Sequence, residues 1–445
     1  MEKNMTVGNP ARIILEFVLP IFLGNLFQQL YSMVDTMVVG RCLGDVGIAS
    51  IGATASLYSL LINFANGLNS GYGIVVTQRF GAHDYKKLRQ AIAGMMVLDL
   101  GVCLVLTGAA MIFLRPLMAF LNTPEAVFEM AHSYIRVICC GILTTIGYNM
   151  FAAILRSVGN SRTPLMFLIF SSFLNIVLDL LFVLVFRMGV AGAAIATVAA
   201  QAASAVLCGI YVFRHYREFL PSKEDFRIPW QMVQTLFSTG IAMALMSCLV
   251  DMGSVIFSRA NNLLGQTYIA AHAASRKILM MMIQPQVTIS LANSTFVGQN
   301  WGAGRFDRIR TALRKVLLME LIWSFFAMAV IYLFGGALVR FTTGTDTPEM
   351  VENAVLSLRI HFATFPFLGV LFALRHALQS MGYKVIPVCS SCIELGMKFL
   401  SAHWLIPRIG FVGTCITEPV TWVIMSSFLL VFYLVNRSRI AERKL

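Results

Sequence analysis

"TQRFGAHDYKKLRQA" (residues 77–91) returns as "GQNWGAGRFDRIRTA" (residues 298–312), and this pairing decides how the chain is organised. Gln78, Gly81, Ala82, Arg89 and Ala91 recur 221 residues later as Gln299, Gly302, Ala303, Arg310 and Ala312. "TPE" at Thr123–Glu125 comes back at Thr347–Glu349, and "RSVGNSRTP" ending at Pro164 parallels "QSMGYKVIP" ending at Pro387. Gly189 and Gly192 correspond to Gly410 and Gly413. Four matches in the same order at nearly constant offset mark an internal duplication.

The duplicated unit is built for a bilayer. Of 445 residues, 58% are hydrophobic and 12% are charged, with a mean hydropathy of +0.76. A soluble domain carries about 25% charged residues, so this chain lacks the polar surface to coat a water-soluble globule. Apolar runs long enough to span hydrocarbon occupy 13–39, 47–76, 91–113, 131–155, 164–185 and 190–213. A second set occupies 231–257, 268–298, 312–339, 353–378, 387–406 and 411–436. The expectation is an all-α integral membrane protein of twelve transmembrane helices in two pseudo-symmetric six-helix lobes. Residues 1–213 form the N-terminal lobe, 214–230 a cytoplasmic linker, 231–436 the C-terminal lobe and 437–445 a basic cytoplasmic tail.

The net charge of +13 in a soluble protein would suggest nucleic acid. Here the basic residues gather in the even-numbered connections, such as Lys86, Lys87 and Arg89, or Arg305, Arg308 and Arg310, whereas odd-numbered ones hold about one each. That bias places both termini in the cytoplasm of a multi-pass cell-membrane protein. The nine cysteines and seven histidines show no metal-ligand spacing, and no nucleophile motif appears, so neither an enzyme nor a nucleic-acid partner is expected. Two lobes with six spans each insert in the same orientation and commonly enclose a cavity, which is the architecture of a transporter.

Over its whole length the chain resembles the MATE (multidrug and toxic compound extrusion) family. The resemblance rests on "VLPIFLGNLFQQLYSMVDTMVVGRCLG" in span one, the paired Q-x-x-G-A loops, "RSVGNSRTP", "LNIVLDLLFVLVF" and "GVAGAAIAT". It implies a secondary active efflux transporter, an antiporter exporting small organic compounds in exchange for H⁺ or Na⁺ by alternating access. No cofactor beyond the coupling ion and a monomeric state are expected. A flippase for a lipid-linked or polyisoprenoid substrate is the alternative, because such bundles share the two-lobe plan.

Acids inside apolar spans are expensive and therefore functional candidates. Asn175 and Asp179 lie four residues apart on one helix face, as do Tyr31 and Asp35 in span one. Both acids fall in the outer half of their spans, so Asp35, Asn175 and Asp179, with Tyr31 beside them, form a candidate site for a proton or Na⁺. Thr197 in "GAAIAT" joins this set through the family resemblance. Pro20 lacks an N–H and should bend span one, making it a candidate hinge.

The second half differs, with Lys398 where the first half has Asn175 and Ala402 where it has Asp179. Arg276, Lys277 and Lys398 are cations at membrane depth, with Glu394, Asp251 and Glu418 as available partners. If they line a cleft, they favour an anionic or zwitterionic substrate. Asp99 and Glu320, in spans three and nine, are equivalent at offset 221.

Overall fold

The computed structural model describes residues 4–121, 123–344 and 347–442, except for the side chains at 31, 32, 36, 45, 56, 439, 441 and 442. The described residues contain helices and no strand. In chain order the helices are α1 (Pro10–Gly44), α2 (Val46–Ala55 with Leu57–Gly81) and α3 (Tyr85–Phe120). They continue as α4 (Glu125–Cys140 with Ile142–Ser157), α5 (Arg162–Val185), α6 (Gly189–His215) and α7 (Trp230–Asn262). The remainder are α8 (Gln266–Gly302), α9 (Phe306–Thr343), α10 (Pro348–Ala363 with Phe365–Ser380), α11 (Val385–Ile409) and α12 (Phe411–Glu442).

Eight of these helices are long and apolar enough to cross a membrane, and counting each bent pair as one span raises the number to eleven. The twelfth, α8, has the length but is interrupted by Arg276, Lys277 and a run of polar residues near its end. Hydrogen bonds closed within each helix are what allow a backbone to sit in hydrocarbon.

Backbone turns repeat between the halves as the sequence does. After each Q-x-x-G-A loop the chain takes one left-handed residue, His83 (φ 55°) in the first half and Gly304 (φ 66°) in the second. Left-handed backbone is cheap for glycine and costs another residue about 1 kcal/mol. Segments of π-helix follow Asp179 (Leu180–Val185) and Leu400 (Ser401–Leu405), again at matching places. Such wide turns interrupt an α-helix most often beside functional residues.

Two compact units divide the described residues: one holds Leu19–Ala244, the other Met5–Val18 with the residues from Leu245 onward. The division therefore falls within α1, just before Pro20, and within α7, not at residues 214–230. The linker belongs to the first unit because it is docked there. Phe219 sits 5.7 Å from the Phe80 ring and stacks at 5.6 Å on Tyr85, and Arg89 pairs with Asp225 at 3.1 Å. In the second unit the segment before α1 is held in the same fashion. The Met5 N–H donates to Gln299 (2.9 Å), and Arg308 donates to the carbonyls of Met5 (3.0 Å) and Gly8 (2.9 Å). Each Q-x-x-G-A loop thus anchors the segment leading into the first helix of the other half.

Within the first unit, α2 and α7 meet through small residues. Gly67 and Gly71 form a G-x-x-x-G face whose partner is Gly240 with Ala244. A Cβ built on Gly71 would lie 2.6 Å from the Cα of Gly240, so the two backbones touch. In lipid, where apolar burial does not drive helices together, such close approach supplies dispersion contacts instead.

Candidate ion-coupling site and charged clusters

Asp179 ends the α-helical part of α5 and is wholly buried, with Asn175 one turn before it at 2% exposure. The Asn175 amide donates to the Thr197 hydroxyl of α6 at 3.5 Å, a long contact. Asp35 of α1 comes close enough to Asp179 for the two carboxyl groups to interact. Four expected members, Asp35, Asn175, Asp179 and Thr197, therefore converge from three helices of one unit. The Tyr31 side chain lies outside the described residues.

Both oxygens of Asp179, one of Asp35 and the amide oxygen of Asn175 are buried with no hydrogen-bond partner among the described residues. Buried oxygens are nearly always satisfied, so an orphaned set calls for an explanation. Two carboxylates, an amide oxygen and a hydroxyl are hard donors, which suit a proton or an alkali cation rather than a soft transition metal. Among the described residues no group of three or more His, Cys, Asp or Glu side chains is arranged to hold a metal ion.

Two cavities flank this cluster. One, of about 220 Å³, is lined by Asn175 and Thr197 and by Pro20, Asn25, Gln28, Asn66, Asn149, Arg156 and Gln201. The other, of about 830 Å³, is lined by residues that adjoin the acids, Val34 and Met37 on α1 and Leu180 and Val183 on α5, and also by Arg41 and Arg187. The carboxyl pair lies between them along both helices. On α4, Thr145, Asn149 and Arg156 follow helical spacing and turn one polar face to the smaller cavity. Arg156 makes no hydrogen bond or ion pair among the described residues, and the ionisable groups it faces are Tyr148 and Cys208, not carboxylates. The sequence reading passed over it because it sits at a helix end beside a basic loop.

Two cations of the second unit, Arg276 and Lys398, are held by acids. Arg276 donates to both oxygens of Glu418 at 2.6 Å. Lys398, 2% exposed, donates to Glu394 (2.9 Å) and Ser254 (3.2 Å) and stands 3.8 Å from Glu418. His361 lies 3.5 Å from the same carboxylate. Two cations thus meet two acids, and the cluster is neutralised from within. Lys277, on a different face of α8, is exposed and outside this cluster. Asp251 has its own interaction. Of the cations that suggested an anionic substrate, Arg276 and Lys398 are accordingly bound to acids, whereas Arg156 in the other unit faces its cavity with no carboxylate against it.

Asp99 and Glu320 are paired across the repeat in their contacts as well. Asn69 donates to Asp99 at 3.2 Å, and Ser290, the equivalent of Asn69, donates to Glu320 at 3.0 Å. Neither acid has a cation against it among the described residues.

Comparison with known proteins agrees with this architecture. The MatE family model matches residues 20–181 and 242–403, one match in each half. The chain is 28% identical over 379 residues to the probable multidrug resistance protein YpnP of Bacillus subtilis, covering 85% of this chain and 84% of that protein. It is 23% identical to the probable multidrug resistance protein NorM of Thermotoga maritima, covering 95% and 91%. A solved outward-facing MATE family transporter of the MOP superfamily superposes with a TM-score of 0.89 at 20% identity, covering 99% and 98%. A MOP superfamily transporter from Pyrococcus furiosus gives 0.88 at 19% identity, with the same coverage.

Proposed function

Because the chain belongs to the MatE family of membrane transporters, we propose that it is an ion-coupled antiporter of the cell membrane that exports small organic molecules, with both termini cytoplasmic. The observation that carries the coupling role is the Asp35–Asp179 pair lying between two cavities, with both oxygens of the buried Asp179 and one of Asp35 unpartnered among the described residues.

H⁺ or Na⁺ entering from the side of Arg41 and Arg187 reaches two carboxylates that repel one another when both are ionised. Loading relieves that repulsion, and Asn175 with Thr197 forms the wall through which the change is felt in the polar cavity. An ion can drive a two-state transporter only by its differential affinity for the two states. Pro20, at the cavity wall and next to the change of unit in α1, is the point where α1 bends between them.

The substrate is anionic or zwitterionic in this reading. Its support is Arg156, which faces the polar cavity with no carboxylate to neutralise it, in a membrane setting where an unpaired charge is expensive. The flippase reading has no comparable observation behind it.

The test is transport by purified protein in liposomes under an imposed pH or Na⁺ gradient. Asp179→Asn is nearly isosteric and cannot ionise, so it should fold and lose gradient-driven transport. Asp35→Asn should behave likewise, and the double variant should be little worse than either, as for groups acting as a unit. Wild-type transport by Asp179→Asn would show that the aspartate only packs.

A further inference from the structure

Arg310 and Arg314 of α9 and Arg437 of α12 line one cleft of about 410 Å³ within the second unit, with Tyr433, Leu313, Leu317 and Leu434. All three arginines are exposed, and none makes a hydrogen bond or ion pair among the described residues. The repeat sharpens this point. Arg89, the equivalent of Arg310, is engaged by Asp225 of the linker at 3.1 Å, whereas Arg310 has no such acid among the described residues.

The cleft is graded along the helices. α9 begins at the basic loop and α12 ends in the basic tail, so on both helices the arginines lie toward the same end. Leu317 lies two turns deeper than Arg310, about 10 Å along the axis. Leu434 lies about one turn deeper than Arg437. On the same two helices Leu318, Val431 and Val435 are exposed apolar residues, which belong against acyl chains. A cationic rim over an apolar wall at a helix end matches a phospholipid in both charge and depth. A soluble anion would use only the rim.

We propose that this cleft binds an anionic phospholipid, with the three guanidinium groups donating to its phosphate and the first acyl carbons lying along Leu317 and Leu434. Guanidinium forks suit phosphate oxygens because they form paired, charge-assisted hydrogen bonds.

Native mass spectrometry of protein in uncharged detergent tests this with phosphatidylglycerol, phosphatidylcholine and soluble glycerol phosphate as probes. Wild type should hold phosphatidylglycerol about tenfold or more tighter than phosphatidylcholine, the loss expected for giving up one charged hydrogen bond. The variant Arg310→Gln/Arg314→Gln/Arg437→Gln should lose that preference. A control that removes the same charge from the linker, Arg214→Gln/Arg217→Gln/Lys223→Gln, should keep it. Equal loss in both variants would mean that net charge alone retains the lipid and would overturn the site. If glycerol phosphate displaced the lipid at equal concentration, the cleft would be a phosphate site and the lipid assignment would fall. Should the triple variant not fold, the wild-type comparison still decides, since equal retention of the two lipids refutes the proposal.

Discussion

Glu418 holds the second unit's charge cluster together, and removing its charge should be among the most damaging single changes in the chain. At an effective dielectric constant of about 20, an ion pair at 2.6 Å is worth about 6 kcal/mol and one at 3.8 Å about 4 kcal/mol. Desolvation of each ion takes back several kcal/mol, so the intact cluster adds little net stability. The single deletion is different because it keeps the desolvation and loses the attraction. Lys398 retains Glu394 at 2.9 Å, so the stranded charge is mainly Arg276, whose side chain is 30% exposed and can recover some hydration. Glu418→Gln should therefore cost toward the lower end of the ~3–5 kcal/mol typical of a broken buried pair. The double variant Arg276→Met/Glu418→Leu should return to within about 1–2 kcal/mol of wild type, because an apolar pair of similar volume replaces both ions. The assay is equilibrium unfolding in mixed micelles by titrating a denaturing detergent, with helix content and tryptophan fluorescence as coincident probes. A loss below about 1 kcal/mol for Glu418→Gln, or a double variant as unstable as the single one, would refute this account of the cluster.

Three further outcomes are expected. Gly71→Ala places a methyl 2.6 Å from the Gly240 Cα, against backbone that cannot rotate away, so it should destabilise the first unit by about 1–3 kcal/mol in the same unfolding assay; an unchanged midpoint would mean that α2 and α7 do not touch there. Arg308→Ala removes the donors that hold the Met5 and Gly8 carbonyls, so limited proteolysis should cut residues 5–12 faster than in wild type while transport continues. Burial raises the Asp225 carboxyl, but hydrogen bonds from Ser222 and Arg89 outweigh it and hold the group below the usual carboxylate range. Its contribution to linker docking is present above the unfolded value of about 4 and is lost as pH falls through the lower folded value. Hydrogen exchange of residues 217–227, corrected for intrinsic rates, should accelerate in strong acid in wild type and already be fast at neutral pH in Asp225→Asn.

The features legible in the sequence were those set by local geometry. A helix crossing hydrocarbon needs a long apolar run whatever it packs against, so the twelve spans were read from apolar runs, and all but α8 are apolar enough to pass by composition. Positions four apart share a helix face, so Asn175 with Asp179 was readable before any fold was known. Depth along two helices that enter from the same side also brought Asp35 level with Asp179. Partner choice between distant helices was not readable. Arg276 had Asp251, Glu394 and Glu418 available, and only the packing of α8 against α12 delivered Glu418, 142 residues away. The face that Gly67 and Gly71 present to Gly240 depends on where α7 crosses. Arg156 and Arg310 read as ordinary loop cations, since the sequence counts charges without saying which acids reach them. Helical periodicity is a property of neighbouring residues, whereas neutralisation of a charge is a property of the space around it, and that space exists only after the helices have packed.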